Sequence, residues 1–207
     1  MKKFGIVPGE PVAITYKSFD VAPQIAAIVK KNPDMVAVAG LPENAAKTIR
    51  ELTRQGYKGR MIGSQIFSDP NILELFGDQA EGTTFMAGFH KDSSPEASAF
   101  TEKFIAENAK RGIRKLGAHH TDAQSYDSVY LLAQAMREAG VTGDAAKLAD
   151  ERAAIRDQLT KIRFTGILGK DICFAGQDAE LPGYIIQIKD GKWTKLDQWP
   201  ADDCPTN

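Results

Sequence analysis

Residues 34–62 alternate between two hydrophobic periods. Met35-Val36-Ala37-Val38-Ala39 is a continuous apolar run of strand length, closed by Gly40-Leu41-Pro42. From Glu43 the apolar residues Ala45, Ala46, Ile49 and Leu52 fall at helical spacing, while Lys47, Arg50, Glu51 and Arg54 take the other face. Gly56 supplies a helix stop, and Arg60-Met61-Ile62-Gly63 reads as the next strand. Parallel strands joined by a helix require a right-handed crossover and bury both faces of their sheet. The pattern therefore predicts an α/β fold with an open parallel sheet flanked by helices.

The same alternation extends to both sides. Pro11-Val12-Ala13-Ile14-Thr15-Tyr16 reads as a strand, Pro23 to Lys31 as a helix, Pro70 to Phe76 as a short helix and Thr83-Thr84-Phe85-Met86-Ala87 as a strand. The first 88 residues are thus predicted to hold four strands and three helices. Three helices follow in succession. Pro95 to Ala109 turns Phe100, Phe104 and Ile105 inward, Asp122 to Ala139 carries Tyr126, Val129, Tyr130, Ala133 and Met136 at helical spacing, and Asp150 to Ile162 uses Ala154, Ile155, Leu159 and Ile162. The sheet of this chain cannot receive all three, so they need another apolar surface. Tyr184 to Ile188 and Lys192 to Leu196, joined by Asp190-Gly191, read as a hairpin.

Composition narrows the function. The 207 residues include 26 basic and 27 acidic side chains, and neither sign forms a block, which argues against nucleic acid as a partner. No apolar stretch reaches the ~18 residues of a membrane helix, and Met1-Lys2-Lys3-Phe4-Gly5 lacks the apolar core of a signal peptide. Cys173 and Cys204 are too far apart for a metal knuckle or a CxxC pair. Two readings remain for them: one disulfide that ties down the C-terminal tail, or a buried thiol at Cys173 and an exposed one at Cys204.

Motifs for nucleotide binding and zinc proteolysis are absent, and Gly63-Ser64-Gln65 lacks the second glycine of a nucleophile elbow. His119 and His120 read as solvated loop histidines ahead of a helix capped by Thr121 or Asp122, and His90 as a loop histidine with a local hydrogen bond. Asp69, Asp78, Glu81 and Asp92 are scattered over turns, with no spacing for paired acid and base work. No catalytic, metal or cofactor site is predicted, and the chain is not read as an enzyme.

Candidate binding residues come from the strand ends, because ligands of open parallel sheets sit outside the carboxyl ends of the strands. Gly40, Leu41 and Pro42 end one strand, Gly63 and Ser64 followed by Gln65, Ile66 and Phe67 end the next, and Phe89 lies just past the third. Gly40 and Gly63 would allow close backbone approach, Gln65 can donate and accept hydrogen bonds, and Phe67 would offer a flat apolar wall. The alternative is that these are ordinary turn residues.

Several segments together resemble the type I periplasmic solute-binding proteins of branched-chain amino-acid ABC transporters. They are Ile28 to Ala39, Ile49 to Gly63, Ala80-Glu81-Gly82 before a strand, Tyr126-Asp127 in a helix continuing LLAQAMREAG, Phe164-Thr165-Gly166-Ile167-Leu168-Gly169, and Asp190-Gly191-Lys192-Trp193. The resemblance implies two α/β lobes that clamp a ligand, with much of the first lobe missing here. Residues 1–88 and 183–200 would form the second lobe, residues 89–182 would return to the first, and 201–207 would be a tail.

The resemblance also implies a small-molecule ligand, an ABC permease as partner, a periplasmic location with the export signal outside this chain, a monomer at full length, and no cofactor. A ligand-sensing domain on the same scaffold is the alternative. In relatives that bind leucine-like amino acids, an aromatic residue and then an acidic residue follow successive strands, and the acid meets the ligand ammonium. Leu41 and Gln65 stand at those positions, and both depart from the pattern. Loss of the carboxylate would cost a buried ammonium several kcal/mol, so the expected ligand is a carboxylate without an amino group, such as an aromatic or keto acid, ahead of a hydrophobic amino acid.

Overall fold

The βα alternation closes on itself locally. The computed structural model describes residues 2–201 and Cys204. Helix α1 (Ala22–Val29) leads to strand β1 (Met35–Val38), α2 (Pro42–Arg54) and β2 (Arg60–Gly63). Two 3-10 turns, Gln65–Ser68 and Pro70–Ile72, run into the single-turn α3 (Leu73–Phe76), and β3 (Thr84–Ala87) follows. Pro42, whose missing N–H costs nothing in the first turn, opens α2, Glu43 and Arg54 match its dipole, and Gly56 leaves it at φ 83°.

Helices α4 (Pro95–Lys110), α5 (His120–Glu138) and α6 (Leu148–Leu159) come next, then the short β4 (Phe174–Ala175) and β5 (Asp178–Ala179) and the hairpin β6 (Gly183–Lys189) and β7 (Lys192–Trp199). The main sheet has the order β1-β2-β3-β6-β7, with β1, β2 and β3 parallel and the hairpin antiparallel at one side. Asp190 and Gly191, both at positive φ, make its turn. The Glu81 carboxylate accepts from the N–H of Asp190 at 2.8 Å, which ties that turn to the residues ahead of β3.

Two expectations are corrected. Pro11–Tyr16 forms no strand: β1 is the edge of the sheet and pairs with β2 alone, and only Ile14 of this segment packs on the core, so its backbone finds no ladder. Among the described residues, the first 88 therefore hold three strands. Nor are both sheet faces buried. Val36, Val38, Phe85, Ala87, Ile186 and Ile188 pack under Ile25, Ile49, Leu52, Phe67 and Phe76. On the opposite face Met35, Ala37, Ile62 and Met86 are exposed, Met86 at 63%.

A second cluster of buried residues, Phe89, Ala97, Ala118, Ala123, Phe164, Leu168 and Ile172, forms around α4, α5 and the 164–172 loop. Asp127 fastens it. Its buried carboxylate accepts from the backbone N–H of Ile167 (3.1 Å) and Leu168 (2.9 Å). Gly166 lies against that carboxylate so closely that any Cβ would collide with it. Desolvation pushes the Asp127 pKa up, and the two N–H donors oppose this. On the outer side of α5, Tyr126, Val129, Tyr130 and Met136 are exposed, whereas Phe100, Phe104 and Ile105 of α4 are half-buried. Tyr126 contacts both Phe100 and Tyr130 at ring-centroid distances of 4.9 Å.

Cys173 and Cys204 are joined by a disulfide with Cα atoms 5.9 Å apart. Apart from Ala201 and Cys204, the 201–207 tail lies outside the described residues.

Replacing Asp127 by Ala leaves one buried and one half-buried N–H group without an acceptor and should lower the unfolding free energy by about 3 kcal/mol. A loss under about 1 kcal/mol in urea denaturation would show that the loop finds other partners. Paired Cys173→Ser and Cys204→Ser substitutions open a loop with a separation of 31 residues and should cost roughly 3 kcal/mol under non-reducing conditions, read the same way.

Candidate functional site

Because β1, β2 and β3 run parallel, their carboxyl ends share one sheet edge. Val38 is level with Gly63, Gly63 with Phe85, and the Ser64 N–H donates to the Val38 carbonyl at 3.0 Å. Gly40-Leu41-Pro42, Ser64-Gln65-Ile66 and Gly88-Phe89-His90 all leave the sheet there. Gly40 is exposed at φ 155°, Leu41 is 50% exposed ahead of α2, and Pro42 is the first residue of that helix. Gln65 is exposed, and Ile66 is half-buried against the first core.

Phe67 is not a wall for a ligand. Its side chain is fully buried, stacked on Phe76 at 4.6 Å, and it covers the space beside Gly63 that was expected to admit a ligand. The 3-10 turn after β2 swings it back into the core. Phe89 is also buried, edge-on to Phe100 at 6.0 Å in the second cluster, yet it lines a groove of about 420 Å³ together with His90, Thr101, Leu116, Ile186 and Trp193. A second groove of about 370 Å³ lies between Ser94, Thr165, Lys170 and Tyr184. Neither is lined by Gly40, Leu41 or Gln65.

The sequence reading missed what α5 brings to this edge. His119 is the N-cap residue, and its N–H is held by the Asp122 carboxylate at 2.9 Å, so the helix starts earlier than expected. His120 is buried rather than solvated, and its Nδ1 lies 2.8 Å from Ser68 Oγ. Ser68 donates its own proton to the Gln65 carbonyl at 2.8 Å, so His120 Nδ1 must be the donor in that pair. The turn that carries Gln65 is thereby fastened to α5. From the next turn of the helix the Gln124 side chain comes up to the space that a Cβ on Gly88 would take, where the Gln65 side chain also arrives. No spacing in the sequence relates residues 65, 88 and 124.

Burial, reinforced by the neighbouring His119 ring, pulls the His120 pKa down to about 4. Burial lowers His119 and His90 as well. His90 accepts from the Asp92 N–H at 3.2 Å, the local bond expected of it. Among the described residues no group of three or more His, Cys, Asp or Glu side chains could hold a metal ion, and no helix is long and apolar enough to cross a membrane.

The family model described as periplasmic binding protein matches residues 4–192, most of the chain. The chain belongs to the periplasmic binding protein family. Its fold is that of the type I periplasmic binding proteins. Similar solved structures include the leucine-binding protein LivK of Thermotoga maritima, 20% identical with a TM-score of 0.73 over 90% of this chain and 50% of that one. LivJ of Streptococcus pneumoniae in complex with isoleucine is 21% identical with a TM-score of 0.69, covering 89% and 49%. A solute-binding protein of Rhodopseudomonas palustris in complex with benzoate is 20% identical with a TM-score of 0.70, covering 91% and 49%. These likenesses establish the fold, and this binding protein chain spans about half the length of each. No curated protein matches the chain.

The lowered pKa of buried His120 should make the fold sensitive to acid. A histidine whose folded pKa is below its unfolded value binds fewer protons when folded, so its stabilising contribution is present above about 6.5 and is lost as pH falls through about 4. The urea midpoint should fall across that window. In His120→Asn, whose amide can still donate to Ser68, the slope should flatten, and an unchanged slope would remove His120 as the cause.

Proposed function

We propose that this chain is part of the extracytoplasmic solute-binding component of an ABC importer, which clamps a small carboxylate-bearing ligand between two lobes. Residues 1–88 with 183–200 form one lobe, and residues 89–182 belong to the other. The observation that carries the reading is the approach of the two parts at the carboxyl edge of the sheet, where the side chains of Gln65, from the turn after β2, and Gln124, from α5, flank the open side of Gly88. Ligands of open α/β sheets bind at such an edge, and a ligand held by both sides stabilises a closed form that a permease can recognise.

The half of the relatives' fold that this chain does not span is the natural cover for the outer face of α5. Tyr126, Val129, Tyr130 and Met136 form an apolar stripe there, and in this family's fold helices cover the sheet of each lobe. The Cys173–Cys204 disulfide suits an oxidising extracytoplasmic compartment. The relatives bound to isoleucine and to benzoate carry two different carboxylate ligands, and the neutral Gln65 favours the ligand type without an ammonium group. The protein does no chemistry in this reading, and its partners are the ligand and the membrane permease.

A native mass spectrum tests the clamp. A folded species with a small-molecule adduct, or with a second polypeptide of lobe-like mass, is the expected result; a bare chain with a broad, unfolded charge distribution would count against it. Val129→Glu should abolish association with the complementary half while leaving the Asp127-anchored core folded by circular dichroism.

A further inference from the structure

Gly88 sits between two side-chain amides. The point where a Cβ would stand on Gly88 is 3.4 Å from Gln65 Nε2 and 3.5 Å from Gln124 Nε2. Neither amide has a hydrogen-bond partner among the described residues. In both it is the nitrogen, which only donates, that faces this point. Gln65 is exposed and Gln124 half-buried, so water meets these donors in the free chain, and an acceptor that enters the space between them takes the place of that water. A carboxylate, with two oxygens and about four lone-pair sites, answers both at once.

The supports of the pair are fixed in advance. Gln65 opens the turn whose carbonyl is bonded by Ser68, and Ser68 is held by His120 of α5. Gln124 stands one turn further along the same helix. Nearby carboxylates are already committed: Asp122 holds the His119 N–H, and Asp69 holds the N–H and side-chain amide of Asn71. Neither of these two carboxylates is therefore free of a capping bond to turn toward a ligand ammonium.

We propose that Gln65 and Gln124 form an uncharged carboxylate-binding pair over Gly88, and that it selects 2-keto or other carboxylic acids lacking an α-ammonium over the matching amino acids. The assignment rests on the solute-binding reading and makes Gln124 a specificity residue for it.

The test is a titration of the full ¹⁵N-labelled chain with 4-methyl-2-oxopentanoate, leucine, 3-methylbutylamine and benzoate, with calorimetry for affinity and the two glutamine NH₂ resonances as the local readout. The keto acid should move both resonances and bind about tenfold more tightly than leucine. Gly88→Ala is the decisive variant. Its methyl group would make ordinary contacts with both amide nitrogens and fill the space between them, and Gly88 has no positive φ to strain the fold. It should weaken the keto acid about tenfold or more, as should Gln124→Ala, with circular dichroism unchanged. Tighter binding of leucine or the amine, or a keto acid that moves neither resonance, overturns the pair. A probe that binds equally well to Gly88→Ala overturns the pair and leaves the solute-binding reading standing, whereas no binding of any of the four probes overturns both.

Discussion

Parallel strands send apolar side chains to both faces of their sheet, and each face must be covered before the backbone between them is protected from water. In this chain α1, α2 and α3 all lie on one face, over Val36, Val38 and Phe85. The other face shows Met35, Ala37, Ile62 and Met86 to solvent. The edge of β1 away from β2 is also unpaired, and Pro11–Tyr16, with strand-like residues, stays irregular beside it. All three features follow from one shortage of cover, and the apolar stripe on α5 repeats it in the second core. The chain spans about half the length of relatives that share its fold.

This explains which parts of the structure could be read from the sequence. Where a signal is local, the reading held: the apolar run of β1, the amphipathic period and capping of α2, the Asp190-Gly191 turn of the hairpin and the succession of helices from Pro95 onward are each encoded within a few residues. Pro11–Tyr16 failed because a strand is defined by its partner, and no stretch of six residues can announce that the partner is absent. Phe67 failed for a related reason. An aromatic residue four positions after a strand can face a ligand or the core, and the choice is made by the 3-10 turn that stacks it on Phe76.

The site was legible to a smaller degree. The strand ends were identified because parallel topology forces them to one edge, but the residues that approach that edge from α5 come from a separate region of the chain. In the sequence Tyr126-Asp127 and the Phe164 to Gly169 segment stand out only as family-like stretches. The structure gives them a physical cause, since the Asp127 carboxylate caps the N–H groups of Ile167 and Leu168 and leaves room only for glycine at position 166. That bond orients α5 on the second core. His120 and Ser68 then orient it on the first, so a buried carboxylate, a neutral histidine and a serine hydroxyl form the polar frame of the edge.

That frame bears on what the edge can select. A site built from neutral donors gains from an anionic acceptor through the hydrogen bonds it makes and offers nothing to an ammonium, and it depends on geometry, because an amide that loses its water must recover a hydrogen bond of comparable quality or the binding is weaker for it. A buried ammonium asks for a carboxylate, and those of Asp69 and Asp122 are held in capping bonds that the Pro70 turn and α5 need. Freeing one of them would trade stability for affinity. The exposed Leu41 beside Gly40 offers apolar surface without an aromatic face, so in the proposed clamp discrimination among ligand side chains would fall to the surfaces that complete the cleft, and the distinction between an acid and an amino acid to the amides at Gly88.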